Sequence, residues 1–298
     1  MTPDILVIGA LHLDVIVNAP RFPQPDETIV GTTVSYQLGG KGGNQALAAA
    51  RMGAAVAMAG RIGNDDFGRR IVQTLEASGV DFGRVRQVDG PSGMSAAVLD
   101  TGGDYGAVIV SGVNVGIDPA EIALPPSLKL LLLQSEIPSE VNQAVISRSP
   151  VNCRVILNAA PFRAAELNDR RLMERVDILV VNRLEAAQHL GLGKEFDARQ
   201  AVKRLLGRGP SAAIVTLGAD GLVACTREGC FALPGIGVEP VSTHGAGDAF
   251  IGALGAELMR AADLRQAAEF AQGAAALAVA GFREGVDRER VLGFLRQQ

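Results

Sequence analysis

Val241-Ser242-Thr243-His244-Gly245-Ala246-Gly247-Asp248-Ala249-Phe250 is the stretch from which the fold of this chain is read. Glycines flank Ala246, an acid follows at Asp248, and apolar residues then recur at Phe250, Ala253, Leu254 and Leu258. That is the three- and four-residue spacing of a helix. The stretch therefore reads as a small-residue loop opening a helix. The first amides of a helix have no partner within it, and with the positive end of the macrodipole they form a place for an anion. Asp248 falls in the first turn, at the mouth of that place. An isolated pair of glycines before an acid is equally a turn and a favourable helix start, so its meaning depends on what the rest of the chain sets beside it.

Working outward, composition bounds the answer. The chain has 298 residues, 48% of them hydrophobic, and a mean hydropathy of +0.22, enough to bury a large core. Aromatic residues make up only 4% and tryptophan is absent, so the core is built from Ala, Val, Leu and Ile, which suits a sheet covered by Ala-rich helices. The net charge of −4 and the lack of a Lys/Arg block give no electrostatic footprint for nucleic acid or an anionic membrane. No apolar run reaches the roughly 18 residues of a membrane span, and Asp4 before the first apolar run is unlike a basic signal peptide. The three cysteines, Cys153, Cys225 and Cys230, are odd in number and lack C-x-x-C spacing, which argues against a disulfide framework or a zinc site. A reducing cytoplasm is the expected location.

Residues 5–8 form a short β-branched run that reads as a buried parallel strand, with His12 and Asp14 just beyond its end. In open α/β sheets, ligands sit outside the carboxyl ends of the strands. Residues 28–37 read as an exposed strand, and 95–99 and 107–110 as strands joined by the hairpin Thr101-Gly102-Gly103-Asp104. Together these predict a small antiparallel layer, roughly 11–38 and 94–112, able to work as a lid. Gly39-Gly40-Lys41-Gly42-Gly43-Asn44 opens an Ala-rich helix over 45–52, with Asn44 as its N-cap. Gly42 after Lys41, where Ser or Thr is required, excludes a Walker A loop. Residues 55–59 and 67–78 give another strand and helix. From 128 onward, buried strands are predicted at 128–133, 155–157, 178–181 and 213–216, all but the last followed by helical stretches. Gln134, Glu136, Asn158, Asn182 and Thr216 come at or directly after these runs. Polar residues at repeated strand ends mark one sheet edge as the functional face. Residues 218–225 turn into a hairpin, and 267–279 form a long helix of small residues. With no repeat or linker, the whole of 1–298 is expected to be one α/β domain.

Asn182-Arg183-Leu184-Glu185 completes the set. Such a pair is commonly solvated surface, but after a buried strand it can hold Mg²⁺ through water, as magnesium is usually bound. Taken in order, Gly39 to Asn44, Asn182 to Glu185 and Gly245-Ala246-Gly247-Asp248 resemble the ribokinase family, the PfkB-type carbohydrate kinases, over essentially the whole chain. The resemblance implies a three-layer α/β/α fold with a central, mostly parallel sheet and a small β-sheet lid, and phosphoryl transfer from ATP to a sugar hydroxyl. It implies Asp248 as general base and Gly245, Ala246 and Gly247 as the anion hole. Asn182 and Glu185 would serve the phosphates and Mg²⁺, with Glu185 reaching the ion through water. Thr216, Gly218 and Gly221 look like the nucleotide strand and turn, and Gln272 falls beside the adenine. Asp14, Gly40, Lys41, Asn44 and Glu136 fall on sugar-binding positions, and His12 stands where the family's ribokinases have an Asn. The partners implied are a small sugar and ATP, with a homodimer formed through the open edge of the lid strands. A nucleoside kinase of the same fold is the alternative, followed by a non-catalytic sugar or nucleotide sensor. A dinucleotide oxidoreductase is disfavoured because no G-x-G-x-x-G follows the first strand.

Besides His12, the chain departs from the family pattern in three places. Ser242 replaces the acid that begins the last motif and serves a monovalent-cation loop, and Gly281-Phe282-Arg283-Glu284-Gly285 lacks the usual Gly-Ala-x-x-Ser run. Arg283 or another side chain is expected to take the cation's structural part. His244, beside the anion hole, is unusual as well, whereas His189 is expected to be structural. Adding KCl at fixed ionic strength should therefore leave turnover unchanged, and a many-fold rise would overturn this reading of the loop.

Overall fold

The computed structural model describes residues 3–164, 166–193, 195–282 and 285–298. β1 (Ile5–Ile8) leads directly into β2 (His12–Ala19), and β3 (Thr33–Gly39) into α1 (Lys41–Arg51). β4 (Val56–Gly63), α2 (Asp66–Ala77) and β5 (Asp81–Val88) precede the hairpin of β6 (Gly93–Asp100) and β7 (Tyr105–Val110). The second half runs through β8 (Leu130–Gln134), α3 (Ser139–Arg148), β9 (Arg154–Asn158), the short α4 (Arg170–Met173), β10 (Ile178–Asn182), α5 (Arg183–Leu190), α6 (Ala198–Leu206) and β11 (Ala212–Thr216). A hairpin of β12 (Leu222–Thr226) and β13 (Cys230–Leu233) follows, and α7 (Ala246–Leu258), α8 (Leu264–Leu277) and α9 (Arg288–Leu295) complete the chain.

The strands form a nine-stranded sheet in the order β13-β12-β11-β10-β9-β8-β1-β4-β5 and a four-stranded sheet in the order β3-β2-β6-β7. The large sheet is parallel except where β12 pairs with β11 and β13. Both its faces are covered, which is why β1 and β8 read as continuous apolar runs. Ile5, Val7, Leu130 and Leu132 pack toward α1, α7 and α8, while Leu6, Ile8, Leu131 and Leu133 pack toward α3, α5 and α6. The result is the expected three-layer α/β/α arrangement with a smaller sheet beside it. Among the described residues, no helix is long and apolar enough to cross a membrane.

Several local readings are corrected: the smaller sheet is mixed and not purely antiparallel, because β2 pairs with β6 in parallel while β3 and β7 pair antiparallel at its edges. Cys225 and Cys230 are joined by a disulfide. The antiparallel register of β12 and β13 sets the two residues directly opposite each other, with Cα atoms 4.0 Å apart, so cross-strand pairing decides the matter and the odd count does not. Cys153 alone is free, buried, its thiol pushed up to about 12 by burial. The N-cap of α1 is Gly40, at φ 78°, and Asn44 lies inside the first turn. After β9 the chain forms only the short α4, and the strand expected over 128–133 begins at Leu130.

Position in this fold follows from close packing. α7 lies against α1 at Gly252, where a Cβ would come within 2.5 Å of Ala48 Cβ and 2.7 Å of the Gln45 carbonyl oxygen. Only glycine permits that approach, and it brings the first turn of α7 over the first turns of α1.

Candidate active site

The carboxyl edge of the large sheet carries the polar residues singled out in the sequence. Register aligns Gln134 of β8 with Asn158 of β9, and Asn182 of β10 with Thr216 of β11. Two helix starts face this edge. α7 begins after Gly245, which at φ 77° takes the left-handed conformation an L side chain disfavours. Asp248 is then in the first turn, 6% exposed.

Asp248 is the meeting point. Its Oδ1 accepts from Gln45 Nε2 at 3.0 Å, its Oδ2 accepts from Asn44 Nδ2 at 3.2 Å, and Lys41 Nζ is 4.0 Å from Oδ1. Asp248 in turn holds the Lys41 ammonium above its ordinary value despite burial, with Glu136 and Glu185 adding to the effect. The Lys41 amide donates to Glu136 Oε2 at 2.6 Å. Below Glu136, Ser135 Oγ donates to the buried Glu166, and Asn142 Nδ2 bridges the Gln134 carbonyl at 2.9 Å to Glu166 at 3.3 Å.

The smaller sheet supplies the opposite wall. Asp14, 4% exposed, accepts from Ser95 Oγ at 2.6 Å, and His244 Nε2 stands 3.7 Å from its other oxygen. Burial alone would raise Asp14, but His244 and Ser95 outweigh it and the carboxyl is held below its ordinary value. Burial lowers the neighbouring imidazole of His12, against the pull of Asp14.

A cavity of about 410 Å³ lies between these walls, and His12, Asp14, Gly40, Lys41, Asn44 and Glu136 all line it, with Gly245, His244 and Asp248. A smaller space of about 50 Å³ adjoins it, lined by Asn182, Glu185, Thr216, Asn158 and Gly247. Lys41 and Glu185 border both. Asn182 and Glu185 form a capping box: Asn182 Oδ1 accepts the Glu185 amide at 2.9 Å and Glu185 Oε2 accepts the Asn182 amide at 2.8 Å. Burial raises the Glu185 carboxyl above its ordinary value, opposed by that amide and by Lys41.

Not every expected residue converges here. Gly218, Gly221 and Gln272 line neither space. Gly221 instead abuts the Leu233 carbonyl, and Gln272 donates to the carbonyl of Pro234, so the two meet over one segment. Ser242 Oγ accepts the His244 amide at 3.2 Å. His189 contacts the Ala159 carbonyl at 3.2 Å and meets the Phe162 ring edge-on. Arg283 and Glu284, on which the cation-loop reading rests, lie outside the described residues. Sequence reading missed Gln45 and Ser95. The only signal for Gln45 was a polar residue interrupting the apolar face of an Ala-rich helix.

The chain is similar to known proteins in sequence and in fold. The family model described as pfkB family carbohydrate kinase matches residues 2–285. The ribokinase of Bacillus subtilis is 33% identical over 284 residues, 94% of each chain. Among solved structures, a ribokinase from Thermotoga maritima superposes with a TM-score of 0.89 at 27% identity, covering 99% of this chain and 100% of that one. The Arabidopsis thaliana ribokinase complexed with ribose and ATP superposes with a TM-score of 0.87 at 28% identity, covering 99% of both.

Glu136 gives the site a pH signature. Burial, partly offset by Lys41, raises its carboxyl from an ordinary 4.5 to about 6. The folded chain thus keeps a proton that the unfolded chain has already lost, and this contribution to stability, full below pH 4.5, is lost as pH rises through about 6. Thermal unfolding of Glu136→Gln against the parent should show the parent losing ground across that window and no further change above it. A difference independent of pH would contradict the burial of this group.

Proposed function

The chain belongs to the pfkB family and is an ATP-dependent carbohydrate kinase, and on that premise we propose that it phosphorylates a hydroxyl of ribose or a closely related small sugar, with Asp248 as the general base. The observation that carries this reading is the double placement of Asp248: buried in the first turn of α7, and at the same time in the wall of the cavity formed by His12, Asp14, Lys41, Asn44 and Glu136.

The charge of the cavity favours a neutral polyol. Asp14, Glu136, Glu185 and Asp248 border it against one lysine, so an anionic sugar would be repelled while hydroxyls find acceptors on several sides. In the reaction Asp248 accepts the proton of the attacking hydroxyl as its oxygen bonds to the γ-phosphorus and the bond to the leaving ADP breaks. In this reading Gly245 and Gly247, which line the two spaces at the start of α7, supply the anion hole for the transferring group, while the Ala246 amide donates to the Thr243 carbonyl at 3.3 Å. Phosphoryl transfer asks chiefly for such positioning. In this reading the smaller space beside Asn182, Glu185 and Thr216 takes the phosphates, and Gly218, Gly221 and Gln272, which line neither space, would serve the rest of the nucleotide only from outside these two spaces. Mg²⁺ supplies charge neutralisation on those phosphates. Glu185 has one oxygen committed to its capping box, and among the described residues no group of three metal-ligating side chains is assembled. Such a site fits an ion carried by phosphate and held by the protein through water.

The smaller sheet acts in this reading as a lid over the sugar, in one domain with the large sheet. Both its edge strands expose apolar residues, Val34 on β3 and Val108 and Ile109 on β7, at 51%, 70% and 56% exposure, which supports pairing with a second copy. Light scattering should then give twice 31.0 kDa, and a monomer at micromolar concentration would refute the pairing. Asp248→Asn should lower kcat by roughly 10²- to 10⁴-fold while leaving ATP binding intact. Full turnover in that variant would remove Asp248 from the role.

A further inference from the structure

Gln45 is 0% exposed and lines neither space of the site, yet it touches the acid at its centre. Its Nε2 stands 3.0 Å from Asp248 Oδ1 and 3.2 Å from Asn158 Oδ1, and its Oε1 accepts from Gln134 Nε2 at 2.8 Å. The orientation of each amide follows from its neighbours. Asn158 Nδ2 donates to the Val180 carbonyl at 3.1 Å, which turns its Oδ1 toward Gln45. An ionised carboxylate only accepts. With two acceptors on one side and a donor on the other, the Gln45 amide has one arrangement that satisfies all its partners.

We infer that Gln45 is a positioning residue for phosphoryl transfer: it holds Asp248 from the buried side through Oδ1, so that Oδ2, beside the cavity residue Asn44, is the oxygen presented to the sugar hydroxyl. The inference rests on the reading of Asp248 as the base. It assigns a cause to the placement of Gln134 and Asn158. These residues end two register-matched central strands, and through Gln45 they tie the carboxylate of α7 to the carboxyl edge of the sheet.

The test is a pair of variants in two backgrounds. Gln45→Met keeps the length of the side chain and removes its donors. Its kcat should fall roughly 10- to 100-fold, the rate equivalent of one charge-assisted hydrogen bond, with KM for ATP unchanged. In the Asp248→Asn background the same substitution should cost little more, because the amide acts through that carboxylate. An unchanged kcat, or an equal loss in both backgrounds, overturns the inference while leaving the base in place. Full turnover of Asp248→Asn alone overturns the base itself. Should Gln45→Met not fold, Gln45→Glu preserves shape and sets a carboxylate against Asp248. Its activity optimum should move to lower pH, where the two acids share a proton, and an optimum identical to the parent's would refute the role.

Discussion

The contact on which the rest of the site depends is the abutment of α7 on α1 at Gly252. No side chain fits there, since even a Cβ would meet Ala48 and the backbone of Gln45 and Ala49 within 2.7 Å. Because the helices touch at backbone distance, the starts of α1 and α7 are brought within reach of one another. Lys41, Asn44 and Gln45 on α1 meet Asp248 on α7, although about two hundred residues separate them in the chain. The anion place at the start of α7 and the glycine-opened start of α1 are otherwise independent features of the sequence.

Around that contact, electrostatics sets what the site can hold. Several acids share one ammonium, and burial pushes the carboxyls of Glu136 and Glu185 upward while donors hold Asp14 down. Neighbouring carboxyls driven in opposite directions are the usual condition for division of labour among acids. Asp14, kept ionised by Ser95 and His244, is a standing acceptor. Glu136, raised to about 6 by burial, accepts from the Lys41 amide. An arrangement of this kind presents carboxylate acceptors on several sides of one cavity.

Much of the fold was legible because burial on both faces leaves a plain trace. Residues 5–8 could be read as a parallel strand, and they are β1. Asp248 was legible as a first-turn acid from the spacing of the apolar residues after it. Asn182 and Glu185 were ambiguous for a physical reason: the pattern of a capping box and that of a phosphate-side pair are the same pattern, and here the two residues do cap α5. Gln45 left only a polar interruption of an Ala-rich helix face, and its role was hidden because its partners lie 89, 113 and 203 residues away. The cysteine pair was misjudged because counting cannot reveal the hairpin register that sets Cys225 against Cys230. Asn44 was misplaced as the cap of α1 because the helix already begins at Lys41, after Gly40, whose positive φ and close approach to the Ala10 carbonyl leave no room for a side chain.

The central claim is that one buried carboxylate serves the sugar and the phosphoryl group at once. A crystal structure of the chain with ribose and a non-hydrolysable ATP analogue addresses it directly. The acceptor hydroxyl should lie about 2.6–3.2 Å from an Asp248 oxygen, with the γ-phosphate over the amides at 245–247. A sugar bound with no hydroxyl at Asp248, or a γ-phosphate held away from the start of α7, would contradict the account.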